Sequence, residues 1–123
     1  MPEDSPAPFI VFRSPAKVGQ PYDRALALVG LVHEIVQTAV TRFYLKDRLD
    51  RATTTVVFEL RLAADEPQTL RWKHYRAARA SASEVATVLD IFTHQRAASL
   101  ELLEQAQRIV IELLTELAPL THA

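Results

Sequence analysis

At 123 residues the chain is long enough for one domain with its own core, and 49% apolar against 24% charged residues is a folded and not a disordered balance. A formal net charge of −1 excludes a protein that grips nucleic acid with its whole surface, so any such role must rest on a local patch. The absence of cysteine excludes disulfides, thiolate nucleophiles and thiolate-bound metals, and it fits a reducing, cytoplasmic setting.

Residues 1–20 read as an extended tail. The opening Met1-Pro2-Glu3-Asp4-Ser5 is acidic and no long apolar run follows it, so no secretory signal is expected. Nor does any stretch approach the roughly 18–20 apolar residues of a membrane span. Phe9-Ile10-Val11-Phe12 is too apolar for a mere linker and is expected to pack along the domain or onto a neighbouring subunit.

Five of the seven prolines lie in residues 1–21, and the only glycines are Gly19 and Gly30. So few glycines argue against an all-β or Rossmann-like chain, and the proline-free stretches are competent to form helices. The first helix is expected at 22–43, with Asp23 as N-cap and Leu28, Val32, Ile35 and Ala39 as its buried stripe. Leu31, Val36 and Val40 widen that stripe.

A second helix is expected at 45–64, with Leu45, Leu49, Ala52, Val56, Leu60 and Ala63 as one seam. The β-branched run Thr53-Thr54-Thr55-Val56-Val57 favours strand on propensity alone. Helical spacing on both sides of it, and the lack of a partner strand, decide for helix. Phe58 and Leu62 point away from the seam.

Asp65-Glu66-Pro67 breaks the chain, and a third helix follows at 68–94. Leu70, Ala77, Ser81, Val85, Val88 and Phe92 supply its stripe. The fourth helix, 97–117, carries Leu103, Ala106, Val110, Leu113 and Leu117, with Ile109 and Ile111 extending the apolar arc. The architecture expected is all-α: an antiparallel up-down four-helix bundle over residues 21–118, after an extended tail and before a C-terminal tail at 119–123. Surplus apolar surface calls for a partner, most economically another copy of the chain. Phe9, Ile10, Phe12, Phe58, Leu62, Ile109 and Ile111 are the candidate contact residues.

No motif announces catalysis. The sequence has no Glu-x-x-His pair, and His33, His74, His94 and His122 are scattered, so no metal or cofactor is expected. GxSxG, P-loop and HExxH patterns are absent too. Glu59 and Glu84 sit on or beside apolar faces, where a bare carboxylate would cost several kcal/mol, roughly. Each is either an acid/base or metal-binding group or part of a polar lock that fixes helix register, with Arg51 and Thr53 to Thr55 the expected partners of Glu84.

The segment Arg71-Trp72-Lys73-His74-Tyr75-Arg76-Ala77-Ala78-Arg79 combines cations with aromatics and holds no acid. Arginine neutralises phosphate and aromatic rings stack on unpaired bases, so Arg71, Trp72, Lys73, Arg76 and Arg79 form a candidate RNA or DNA face. The competing reading is a solvated face whose arginines pair with Glu101, Glu104, Glu112 or Glu116.

Three stretches resemble one known family. Ala25-Leu26-Ala27-Leu28-Val29, the span from Phe43-Tyr44-Leu45 through Leu49-Asp50-Arg51-Ala52, and Ala78-Arg79-Ala80-Ser81-Ala82-Ser83-Glu84 are similar, in order and spacing, to segments of the four-helix-bundle proteins named after 23S ribosomal RNA intervening sequences. The accessory variability protein of diversity-generating retroelements is a relative of that family. The likeness spans residues 22–118. It departs where the family carries a Ser-Ile-Pro-x-Asn-Ile-Ala-Glu-Gly run, since this chain has Thr55-Val56-Val57-Phe58-Glu59-Leu60-Arg61-Leu62-Ala63. The resemblance implies an up-down bundle assembled into a ring of five. The function expected is that of a non-catalytic scaffold or adaptor, with a nucleic-acid-binding accessory protein as the alternative. Its retroelement relative is basic and binds nucleic acid and reverse transcriptase, a charge this chain lacks.

Overall fold

A computed structural model describes residues 15–123, with side chains from residue 20 onward. Phe9, Ile10 and Phe12 therefore lie outside the described residues. Four helices make up the described chain: α1 (Pro15–Thr38), α2 (Phe43–Asp65), α3 (Arg71–Gln95) and α4 (Leu100–Leu117). Short 3-10 turns occupy Gln68–Leu70 and Ala118–Leu120. None of these helices is long and apolar enough to cross a membrane.

α1 begins earlier than its sequence indicates. Proline is tolerated at the first helical position, where its missing N–H would have no partner, and Pro15 stands there. Pro21 is then inside the helix, residues 15–20 are helical and not extended, and Asp23 is no N-cap. The helix also stops earlier, at Thr38. The Val40 N–H leaves it to donate to the Ala97 carbonyl at 2.8 Å, and the Thr41 hydroxyl donates to Gln95 Oε1 at 2.7 Å. Val40 consequently stands in the linker, exposed, and adds nothing to the α1 stripe.

α2 keeps its helical form through the threonine run because each hydroxyl has a local acceptor. Thr53, Thr54 and Thr55 donate to the carbonyls of Leu49, Asp50 and Arg51 at 2.8, 2.8 and 2.9 Å. Those hydroxyls are thus not partners of Glu84. α4 starts at Leu100 and not at 97, because the Ser99 hydroxyl caps it by accepting from the Leu102 N–H at 3.3 Å.

Each helix packs on two neighbours, in the order α1–α2–α3–α4–α1, which closes the four into a bundle. Cross-links show the antiparallel sense. Arg24 near the start of α1 meets Glu116 near the end of α4, and Arg48 of α2 meets Glu84 of α3 while Glu59 meets His74. The α1–α2 and α3–α4 linkers share one end, joined by the Val40–Ala97 bond. The opposite end holds the α2–α3 turn and the C-terminal 3-10 turn.

The core follows the expected seams of α1, α2 and α4 residue by residue. α3 differs in its first half. Ala78 and Ala82 are buried there, Ala77 and Ser81 only partly, and Leu70 is exposed in the 3-10 turn. Where every candidate side chain is small, the apolar periodicity has two near-equal phases. Val85 and Phe92 fit both phases, and the fully buried Leu89 extends the one that Ala78 and Ala82 share.

Candidate functional site

The α2–α3 turn positions the basic segment. Arg71 Nε donates to the Glu66 carbonyl at 3.0 Å, fastening the first turn of α3 to the preceding loop. One turn on, His74 lies between two carboxylates: Nδ1 is 2.8 Å from Glu59 and Nε2 is 3.3 Å from Glu66. The Glu59 hydrogen bond raises the His74 pKa above the ordinary imidazole value, against the opposing effect of desolvation, and the Glu66 contact adds to it. With an acceptor at each nitrogen, the doubly protonated ring satisfies both sides, so Glu59 is the acidic half of a link joining α2 to α3. Among the described residues, no group of three or more His, Asp or Glu is placed to hold a metal ion.

Beyond this joint the α3 side chains fan out. Arg76 and Arg79 are exposed and line one wall of an open groove of about 460 Å³. Ala80 and Ser83 also line it, and Thr121 and His122 of the C-terminal segment form its other side. A second groove of about 240 Å³ adjoins it and shares His122, with Gln68, Arg71, Trp72, Tyr75, Pro119 and Leu120 around it. Lys73 is exposed and lines neither groove.

The arginines of the first groove are not neutralised by the expected acids. Glu112 and Glu116 are both held by Arg24, at 2.8 and 2.9 Å. Among the described residues neither Arg76 nor Arg79 is paired with a carboxylate, and no carboxylate side chain lines the groove. Of the five residues proposed for a nucleic-acid face, the structure brings Arg71 and Trp72 to one groove and Arg76 and Arg79 to the other.

The polar lock has a different donor from the one expected. Glu84 accepts from Arg48 Nε at 2.6 Å, whereas Arg51 Nε bonds Asp47 on its own helix at 2.9 Å. Arg51 stands one turn further along α2 and points to solvent. Neither Arg48 nor Glu84 is buried, so the pair bridges the α2–α3 surface and lies outside the core.

The apolar suspects separate in the same way. Phe58 and Leu62 are 63% and 46% exposed on α2, and Ile111 is 60% exposed on α4. Ile109 is partly buried and packed against the core. Two residues apart on a helix means about 200° of rotation, so Ile109 and Ile111 must face opposite sides. No family model, curated protein or solved structure matches the chain.

Several exposed or groove-lining residues escape sequence reasoning. Val40, Phe43, Tyr44 and Leu100 are exposed at the linker end of the bundle. Their apolar character is visible in the sequence, but helices drawn too long absorb it into their stripes or ends. Thr121 and His122 join the basic segment only through the path of the C-terminal turn, for which local sequence carries no signal.

Proposed function

We propose that the protein is a non-catalytic, self-associating helical scaffold or adaptor. One observation carries this reading: large apolar side chains stand in solvent on two helices that are not neighbours. Phe58 and Leu62 project from α2, and Leu100 and Ile111, at 59% and 60% exposure, from α4. A two-fold dimer uses one patch twice and leaves the other wet, whereas a head-to-tail contact uses both and closes into a ring when the rotation permits. The likeness to the intervening-sequence family makes a ring of five the expected assembly. The two carboxylates beside apolar faces each link α2 to α3, Glu59 through His74 and Glu84 through Arg48, as a structural role requires. Light scattering on the full chain tests this: the mass should be a multiple of the chain mass, and Phe58→Asp and Ile111→Asp should each reduce it. A wild-type monomer at micromolar concentration refutes the reading.

A second reading is favoured by the guanidiniums of Arg76 and Arg79, which no carboxylate of the described residues pairs. In it the same scaffold carries RNA or DNA on α3 as an accessory function. Binding should weaken with salt. It should be lost in an Arg76→Glu, Arg79→Glu double variant, and absence of binding at low salt would end this reading.

A further inference from the structure

We propose that the C-terminal segment completes a site for one nucleotide unit of a single-stranded nucleic acid, with the phosphate held at Arg76 and Arg79 and the base lying in the Trp72–Tyr75 groove. The proposal rests on the nucleic-acid reading above and adds to it a ligand form and a second wall.

The two grooves meet at His122, and each is lined by arginine, Arg76 and Arg79 in the first and Arg71 beside Trp72 and Tyr75 in the second. The first is lined by Arg76 and Arg79 together with the short side chains of Ala80 and Ser83. The planar guanidinium fork matches a phosphate in charge and geometry. In the second, Trp72 and Tyr75 supply flat surface, and Pro119 and Leu120 supply apolar contact. Gln68 places an amide at the edge of that groove, able to donate to and accept from a base edge. A ligand suited to both must be anionic at one end and planar at the other.

For an inorganic phosphate the first groove offers two guanidiniums, whereas Arg71 of the second already donates to the Glu66 carbonyl. A base inside a duplex cannot enter the second, because both its faces are already stacked on neighbouring bases. An unpaired nucleotide satisfies both. The C-terminal wall is held in place for this role. Ala118–Leu120 forms a 3-10 turn stiffened by Pro119, and the Thr121 hydroxyl donates back to the Ala118 carbonyl at 3.0 Å. His122 follows directly and separates the two grooves.

Trp72 is the only tryptophan in the chain, so its fluorescence reports on the second groove alone. The test titrates the full-length protein at low salt with a labelled 12-nucleotide oligouridylate, with the duplex formed by that strand and oligoadenylate, and with inorganic phosphate. Anisotropy reads binding and Trp72 emission reads contact with the base. The single strand should bind and quench Trp72, and the duplex should bind at least about 10-fold more weakly, within the range one lost base–aromatic stack produces. Phosphate should compete for the oligonucleotide without quenching Trp72. His122→Glu, at an exposed position outside the helices and the core, should weaken single-strand binding by about 10-fold or more through its charge. Equal affinity for the duplex, an unchanged Trp72 spectrum on binding, or an unaffected His122→Glu variant overturns the site while the Arg76/Arg79 reading stands. No binding of either nucleic acid at low salt overturns both.

Discussion

Replacing Arg96 by glycine should stabilise the protein. Arg96 ends α3 at φ 53° and ψ 42°, the left-handed region, and it is the one non-glycine residue with positive φ among the described residues. Its own N–H donates to the Thr93 carbonyl at 3.1 Å and the next N–H, of Ala97, donates to Phe92 at 3.0 Å. This is the paired bonding of a Schellman stop, in which glycine is the usual occupant. Ala97 is buried beside the core and its carbonyl receives the Val40 N–H, so the chain reversal is fixed from both sides and Arg96 cannot relax out of it. A side chain in this conformation costs about 1–2 kcal/mol, and glycine returns about 0.5–1 kcal/mol of that as extra entropy in the unfolded chain. The net gain expected is about 0.5–1 kcal/mol. With an unfolding entropy near 2.1 cal/mol/K per residue, this raises Tm by about 2–4 °C. Thermal and urea unfolding should be followed at one fixed protein concentration, because assembly adds its own stabilisation. Arg96→Ala is the control: alanine carries the same Cβ and gains nothing. If Arg96→Gly melts at or below Arg96→Ala, the left-handed cost is not what governs this position.

The remaining predictions concern the core and the two inter-helix links. Phe92→Ala removes the largest fully buried side chain and should cost about 3–5 kcal/mol, a large share of the roughly 5–15 kcal/mol that holds such a domain, as read by urea denaturation. A double-mutant cycle should give Arg48–Glu84 a coupling of about 0.2–1 kcal/mol and Arg51–Glu84 none, and the reverse result would contradict the observed pairing. Because His74 has a raised pKa in the folded protein, its contribution to stability is fully present below about pH 6.5 and fades as pH rises through the raised value. An NMR titration should place the His74 pKa above 6.5, and Glu66→Gln should move it back down. A His74 that titrates at or below the free imidazole value would show that the two carboxylates do not act on it.

Much of the core is legible in the amino-acid sequence. The α2 seam from Leu45 to Ala63 and the α4 seam from Leu103 to Leu117 are buried as their spacing requires, because a helix of 3.6 residues per turn shows one face to the interior and an apolar stripe records which. Spacing gives only an angle around a helix, and that angle is ambiguous where side chains are alike. Periodicity allows Ala77 and Ser81 as readily as Ala78 and Ala82 for this reason, and the packing of the bundle selects the second pair. Helix ends are less legible, since they depend on bonds to distant chain. Val40 leaves α1 for Ala97, and whether Pro15 or Pro21 stands at the helix start is not settled by proline's local preferences.

The α3 segment Arg71 to Arg79 shows the same division. Its charge and aromatic content, and the helix that carries it, are properties of the sequence by itself, since composition and periodicity are local. Tertiary structure alone decided that Arg24 would take Glu112 and Glu116 and that Arg48 would take Glu84, leaving Arg76 and Arg79 beside a groove completed by His122. The physical reason is reach. A charged side chain pairs with whatever stands within a few ångströms, and only packing of the four helices brings residues so far apart in the chain within that distance.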